Sequence, residues 1–207
     1  MKPRTTTRTA RDTKADIFEA AANLFSEKGF DGVSVDEIAA RAGVNKAMVY
    51  YHFADKITLY REIVGEMLLS VGAAVTHIAA EKASAPEKLD RFIATFVRLN
   101  DQQPYFPPLM LRETSSGAPH LDLETFSKIR NVFGAFVKIL SEGQAAGAFR
   151  QIQPMLAYTS IIGPLFFNVA RSGLAAIRSH LPMFVHISHE DMIAHVQLAA
   201  RRLLEQR

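Results

Sequence analysis

Hydrophobic residues recur every three or four positions along most of this chain, which is the spacing of amphipathic helices. Near the end of the chain, for example, Met192, Val196, Ala199 and Leu203 fall on one helical stripe. No segment of the sequence shows the alternation typical of strands, and no internal repeat is present. The pattern therefore predicts an all-α fold of about nine helices.

Residues that favour helix ends divide this pattern into elements. Thr13, Ser34 and Ser188 are each followed three positions later by an acidic residue, which is the signature of a capping box at a helix start. Glycine and proline mark the breaks, and Pro164 predicts a kink inside an apolar helix. The predicted helices cover about 13–28, 34–42, 46–52, 55–80, 86–100, 108–114 and 122–146, followed by one that begins at 154 and one that begins at 188.

The two short helices between Ser34 and His52 are the most informative part of the sequence. Gly43 supplies the positive φ that a tight turn needs, and Asn45 can cap the second helix. The apolar positions around the turn would bury a small three-helix core: Ile38, Ala39, Val44, Val49 and Phe53. This arrangement is a helix-turn-helix, whose second helix enters the major groove in DNA-binding proteins that use it.

Charge is unevenly distributed along the 207 residues, of which 48% are hydrophobic. The net charge is only +3, yet residues 1–14 hold five basic residues and one acidic residue, so the rest of the chain is close to neutral. Residues 1–12 are predicted to form a flexible basic arm because they are rich in threonine and lack an apolar cluster. Such an arm is either a solvated tail or an auxiliary contact to phosphates.

Several classes of protein do not fit the sequence. The lack of cysteine excludes disulfides and thiolate metal sites and is compatible with a reducing cytoplasm. No run of about 18 apolar residues predicts a membrane span, and no apolar stretch follows the basic N-terminus as in a signal peptide. Without a Ser/His/Asp signature or a phosphate-binding glycine loop, we expect no cofactor and no enzyme activity. A weak zinc pattern in His180, His186, His189 and His195 lacks an acidic partner at helical spacing, so we expect no metal.

The segment from about Ile17 to Leu59 resembles the tetracycline-repressor (TetR) family of bacterial regulators. The matching pieces are residues 20–25, 28–30, 34–39, 42–44, 49–53 and 55–56. The resemblance implies a cytoplasmic bacterial homodimer that binds a palindromic operator on double-stranded DNA. It further implies a helix-turn-helix DNA-binding domain over residues 13–56. A helical domain over residues 57–207 would bind a small molecule and dimerise through the last two long helices.

The resemblance also indicates which residues contact DNA. Lys46, Ala47 and Met48 are the base-facing set, and Lys46 can donate to guanine O6 or N7. The other candidates border the sugar-phosphate backbone: Ser34, Val35, Arg41, Tyr50, Tyr51, His52 and Lys56. We expect the firmest phosphate contact from Lys56, because it lies at a helix start where backbone N–H groups already attract anions.

Some of these assignments have alternatives. One of Tyr50 and Tyr51 could belong to the core, His52 could be a buried cap, and Arg41 could be a solvated surface residue. Asp36 departs from family members that have a basic or neutral residue at this position. Its charge would repel phosphate, so we expect no base recognition by the first helix of the pair.

The region after residue 56 holds most of the 14 phenylalanines, and pockets between helices commonly bind small molecules. The candidate ligand contacts are Phe92, Phe96, Phe106, Met110, Phe126, Phe133, Phe166 and Phe167. At helical spacing, each of them could equally be ordinary core. Arg112, Glu113, Arg130 and Arg171 could orient a ligand or form ion pairs instead.

Two functions remain open from the sequence. The first is a repressor, or its variant an activator, that responds to a small apolar or amphipathic effector. The helix over 55–80 would then carry the signal, pushed by residues 104–108 and the short helix after them. The second is a DNA-binding dimer without such a ligand. A cavity of several hundred Å3 lined by the aromatic residues would favour the first function, and a closed core would favour the second.

Overall fold

The computed structural model describes the backbone of residues 10–169 and 188–205, and the side chains of 11–166 and 188–205. Within these residues the fold is all-α, as predicted. The nine helices of this part of the chain are α1 (Ala10–Lys28), α2 (Val35–Ala42), α3 (Lys46–His52), α4 (Lys56–Ala80), α5 (Ala85–Gln102), α6 (Phe106–Ser116), α7 (Leu123–Ala145), α8 (Pro154–Val169) and α9 (His189–Leu204). Most of the predicted basic arm, residues 1–9, lies outside the described residues.

Side-chain caps fix where most of the helices begin. Each capping side chain accepts a hydrogen bond from the backbone amide three residues later, an N–H that the helix itself leaves unpaired. This holds for Ser34, Asn45, Asp55, Ser84, Asp122 and Ser188. The caps predicted at Ser34, Asn45, Asp55 and Ser188 are therefore confirmed.

Two predicted helix starts are wrong. α1 is already helical at Ala10, and Thr13 is buried inside it rather than capping it. Asp12 lies in the first turn of α1, where the helix dipole favours an acidic residue. α6 begins at Phe106 instead of 108, because the two prolines that follow fit the first turn, where a missing N–H costs no hydrogen bond.

α4 is the central helix of the fold. Twelve of its 25 residues are buried, and it packs against α1, α5, α6 and α7. By length and composition α4 could cross a membrane, but 56% of its most apolar 18-residue stretch is buried inside the protein. That burial is the pattern of a core helix. Tyr60 near its start packs on Phe25 of α1 and on Phe30 in the turn that follows α1, so α4 is shared by both halves of the protein.

The buried apolar residues form one continuous cluster from Ile17 in α1 to Leu204 in α9. α7 packs along α4, and α9 packs on α5 and α8. The domain boundary predicted at residue 56 falls at the first residue of α4 and stays a prediction, as does the kink at Pro164 within α8.

Candidate DNA interface and effector cavity

α2 and α3 pack on each other and on α1 across a tight turn. Gly43 in this turn has a φ of 66°, in the left-handed region where a β-carbon is strained. Val49 and Phe53 are buried on the inner side of α3. The opposite side of α3 is open and has the form of a helix that can enter a DNA groove.

The predicted DNA contacts are exposed to different degrees. Tyr50 and Tyr51 are 47% and 76% exposed, which excludes the alternative that one of them belongs to the core. Four further candidates are exposed, namely Ser34, Arg41, Lys46 and Ala47, and four are half-buried, namely Val35, Met48, His52 and Lys56.

His52 does not present its Nε2 atom to solvent. That atom is buried and has no hydrogen-bond partner among the described residues. The ring lies edge-on to Tyr51, with centroids 5.0 Å apart. A phosphate contact through Nε2 does not fit this geometry, so a contact by His52 would have to use Nδ1.

Two of the basic side chains that are predicted to contact DNA form ion pairs within the protein. Lys46 Nζ lies 2.8 Å from Asp36 Oδ2, and this hydrogen bond raises the pKa of Lys46. Arg41 Nη2 lies 3.3 Å from Glu27 Oε2, so Arg41 joins α2 to α1 instead of being freely solvated. DNA would have to share or replace both carboxylates.

Lys56 also has partners within the protein. Its Nζ atom donates to the carbonyl oxygens of Phe30 and Val33, both at 3.0 Å, and lies 4.1 Å from the centre of the Phe30 ring. The ammonium group therefore fixes the α1–α2 turn to the start of α4. A phosphate contact by Lys56 stays a prediction, and in this geometry only the third N–H is left for it.

A cavity of about 320 Å3 lies between α4, α5, α6, α7 and α8. Four of the predicted ligand contacts line it: Phe96, Phe106, Met110 and Phe166. The volume is within the range of sites that bind small molecules. These four residues come from three different helices, α5, α6 and α8.

Three of the other predicted ligand contacts do not line the cavity. Phe92 is fully buried in the core between α5 and α7. Phe133 packs on Tyr158 but does not border the empty space. Phe126 is 44% exposed on the surface of α7, and the side chain of Phe167 lies outside the described residues. Helical spacing identifies buried positions, but it does not show which of them border a void.

The cavity wall is apolar except for the hydroxyl groups of Thr114, Tyr158 and Thr159. Burial raises the pKa of Tyr158 to about 12, so its phenol stays protonated at neutral pH and can donate a hydrogen bond. No charged side chain among the described residues borders the cavity. Because an unpaired charge is costly to bury, this wall fits a ligand that is mostly apolar.

Three of the four charged candidates for ligand orientation have other partners. Arg112 donates to a backbone carbonyl of α1, and Arg130 donates to a neighbouring serine on α7. Glu113 is buried but hydrogen-bonds to α4 instead of facing the cavity. Arg171 lies outside the described residues.

Two models of known protein families match the chain. The model for bacterial regulatory proteins of the tetR family matches residues 17–63. The model for the tetracyclin repressor-like C-terminal domain matches residues 86–203, which is more than half of the chain. The chain belongs to the TetR family. It is accordingly a DNA-binding transcriptional regulator with an N-terminal helix-turn-helix.

Named relatives agree with this assignment. The A-factor receptor protein of Streptomyces griseus is 28% identical, over 93% of this chain and 70% of that protein. The HTH-type transcriptional repressor NicS of Pseudomonas putida is 26% identical, over 67% of this chain and 66% of that protein. The crystal structure of the TetR family transcriptional regulator PfmR from Thermus thermophilus matches with a TM-score of 0.73 at 27% identity, over 92% of this chain and 99% of that one.

In this TetR-family regulator a buried polar network joins α6 to α4 and extends to the turn between α1 and α2. Glu113 of α6 is 2% exposed, and its Oε1 atom accepts a hydrogen bond from the Tyr60 hydroxyl at 2.8 Å. The same oxygen lies 2.7 Å from His120 Nδ1. The His120 ring lies 4.3 Å from the ring of Phe30, in the turn between α1 and α2. Met110 of α6 borders the cavity, so α6 has one side chain at the cavity and another, Glu113, in this network.

No sequence pattern joins Tyr60, Glu113 and His120, because the three residues lie on different elements that only the fold brings together. One signal was available in α6. Glu113 follows Phe106 and Leu109 at helical spacing, and both are buried. An acidic residue on such a stripe indicates a buried carboxylate that needs a partner.

The histidines considered for zinc do not form a site in the part of the chain that the structure describes. No group of three histidine, aspartate or glutamate side chains is close enough there to hold a metal ion. His189 instead lies 3.0 Å from Asp101. His180 and His186 lie outside the described residues.

Proposed function

We propose that this regulator is a repressor that leaves a palindromic operator when a small apolar or amphipathic effector binds between α4 and α8. The cavity of about 320 Å3 is the observation that carries the proposal. A DNA-binding dimer without a ligand would need no such space. The protein would act as a homodimer in the bacterial cytoplasm.

The dimer would place its two copies of α3 in successive major grooves, about 34–36 Å apart. Lys46, Ala47 and Met48 would face the bases, while Tyr50 and Tyr51 would border the phosphates. Apolar side chains exposed on α8 and α9 support dimerisation through these helices: Met155, Leu156 and Leu198. Burying such side chains against a second copy would remove apolar surface from water.

The effector would act only if it binds the DNA-free conformation more tightly than the DNA-bound one. A ligand in the cavity would press on Met110 and Thr114 of α6. Displacing α6 would move Glu113, and with it Tyr60 in α4 and His120 against the α1–α2 turn. The distance between the two copies of α3, the recognition helices, would then no longer match the operator.

The proposal is tested with duplexes that the full chain selects from random DNA and with uncharged probes such as aliphatic alcohols and methyl esters. A probe that binds the protein should weaken operator affinity. Gly163 borders the cavity, and a β-carbon there would meet no described atom within 4 Å. Gly163→Leu should therefore keep operator binding, because the new side chain meets no clash at its β-carbon. It should lose the response to the probe, because the side chain would occupy space that the probe needs.

Gly134→Leu is the matched control, because Gly134 lies on the exposed side of α7 and a β-carbon there also meets no described atom within 4 Å. It should keep both operator binding and the response. An operator affinity that stays constant with every bound probe would favour the alternative, a DNA-binding dimer without an effector. Target transcripts that fall when the gene is deleted would identify an activator instead of a repressor.

A further inference from the structure

Asp36 and Lys46 form an exposed ion pair between the two helices of the helix-turn-helix. Asp36 is the second residue of α2 and Lys46 is the first residue of α3. Their side chains are 70% and 49% exposed, and Nζ lies 2.8 Å from Oδ2. The pair therefore lies on the open side of the motif, beside Ala47 at the end of α3 that approaches base edges in this motif.

The pairing gives Lys46 a defined position. A lysine at a helix N-terminus is disfavoured by the helix dipole, and the carboxylate of Asp36 offsets that cost. The hydrogen bond uses one of the three ammonium N–H groups and one acceptor site of the carboxylate. Two donors on Lys46 and several acceptor sites on Asp36 therefore remain for DNA.

The spacing of the pair matches the major-groove edge of one base pair. In a G·C pair, guanine O6 accepts from cytosine N4 at about 2.9 Å, the usual N–H···O distance. The ion pair places a donor and an acceptor 2.8 Å apart. A donor can thus face O6 while the neighbouring acceptor faces N4.

We propose that Asp36 and Lys46 act together as one specificity determinant that recognises a single G·C pair in each half-site. Lys46 donates to guanine O6 and N7, and Asp36 accepts from the N4 amino group of the paired cytosine. The proposal rests on α3 lying in the major groove. It reverses the expectation that the charge of Asp36 only hinders α2, because here the charge selects the orientation of the base pair.

A definite order of base pairs follows at this position. A T·A pair also offers a carbonyl and an amino group in that order, but it replaces N7 next to the lysine with a methyl group. The reversed pairs, C·G and A·T, place an amino group against the ammonium and a carbonyl against the carboxylate. The expected order of affinity is therefore G·C, then T·A, then both reversed pairs.

The test measures binding of the full chain to its selected duplex with each of the four base pairs at every position of a half-site. One position should show the predicted order, with at least about fivefold between G·C and C·G, the lower limit for a good base contact. Asp36→Asn and Asp36→Ala should narrow the difference in affinity between the G·C and C·G duplexes, because only Lys46 then still distinguishes the two base pairs. Two variants are used so that a folding defect in one of them does not decide the result.

Glu37→Gln is the matched control, because it removes the same charge from the next residue of α2. Glu37 pairs with Lys28 of α1 and not with α3. Glu37→Gln should raise affinity for all duplexes by a similar factor and leave the base-pair order unchanged. The proposal is overturned if Asp36→Asn and Asp36→Ala also leave the base-pair order and the difference between the G·C and C·G duplexes unchanged.

Lys46→Ala distinguishes two ways in which the proposal could be wrong: Asp36 takes no part in base recognition, or α3 does not lie in the major groove at all. If Lys46→Ala loses the base preference while both Asp36 variants keep it, Lys46 contacts the base alone and the paired recognition is wrong. If Lys46→Ala keeps the base-pair order as well, α3 does not meet base edges at this residue, and the placement of the recognition helix fails with the proposal.

Discussion

Replacing Tyr60 with phenylalanine tests the link between the cavity-bearing helices and the DNA-binding helices. The change removes one hydroxyl group from a side chain that is 1% exposed and leaves the ring in place. That hydroxyl donates to Glu113 Oε1 at 2.8 Å. The substitution therefore deletes one hydrogen bond to a buried carboxylate without emptying the surrounding core.

The neighbours of Glu113 set the size of the effect. A hydrogen bond to a charged group contributes about 1.5–3 kcal/mol to stability. After the substitution Glu113 keeps His120 Nδ1 at 2.7 Å and the His120 amide at 3.4 Å, so the carboxylate is not left unpaired. We therefore expect the free energy of unfolding to fall by about 1.5–3 kcal/mol. For a chain of this size, that corresponds to a fall in Tm of roughly 3–12 °C.

The effect should depend on pH in one direction. Burial and the neighbouring Glu113 raise the pKa of Tyr60 above its usual value, so the folded protein favours the neutral hydroxyl. A raised pKa contributes stability below the unfolded pKa, which is about 10 for tyrosine. The difference between native protein and Tyr60→Phe should persist up to that pH and shrink as the pH rises further.

Urea or thermal unfolding at one fixed protein concentration measures the change, because dimerisation makes Tm depend on concentration. Tyr105→Phe is the control, since Tyr105 is half-buried and its hydroxyl donates to the uncharged Gln103 at 2.8 Å. Its loss should cost about 1 kcal/mol or less. Equal losses from both substitutions would refute the special role of the buried carboxylate. Tyr60→Phe should also reduce the effect of an effector on operator affinity, and Tyr105→Phe should not.

Four further substitutions test other parts of the structure. Asp55→Ala removes the cap of α4 and should cost about 1 kcal/mol. Because its hydrogen bonds to Thr58 hold the pKa of Asp55 below the usual value, unfolding at several pH values should show this difference in full above about pH 4 and lose it as the pH falls through the folded pKa. Gly143→Ala would place a β-carbon inside the ring of Phe149 and should lower Tm, whereas Gly134→Ala at an open helical position should raise it; shifts of the same sign would contradict this packing. Lys56→Ala should lower the Tm of the DNA-free protein, and an unchanged Tm with a weaker salt dependence of DNA binding would assign Lys56 to a phosphate instead.

Helix starts and the helix-turn-helix were predictable because each depends on residues close together in sequence. The caps at Ser34, Asn45 and Asp55 need only a side chain and the amide three residues later. The turn needs only a glycine at a left-handed position, which is Gly43. The predicted start of α1 was wrong because the local pattern was present without the helix end. Thr13 and Asp16 have the spacing of a capping box, but the helix extends beyond Thr13 to Ala10.

The partners of the lysines that are predicted to contact DNA were not predictable, since a flexible side chain binds whichever acceptor the fold brings near. Lys46 finds Asp36 across the turn, and Lys56 finds carbonyl oxygens of a turn more than 20 residues earlier. The cavity is a similar case. Periodicity marks Phe92 and Phe96 as inward-facing alike, but only the packing of other helices leaves empty space beside Phe96.

The α1–α2 turn explains how one movement could change operator binding without distorting the recognition helix. Phe30 in this turn contacts the rings of Tyr60 and His120, and its carbonyl accepts from Lys56 at the start of α4. A displacement of α6 that reaches α4 through Glu113 would therefore move the turn and, with it, α2 and α3 together. The spacing between the two copies of α3 would then change, while the side chains that contact bases would keep their positions on α3. Substitutions in the network around Glu113 should therefore alter the response to effector and leave the base preference as it is.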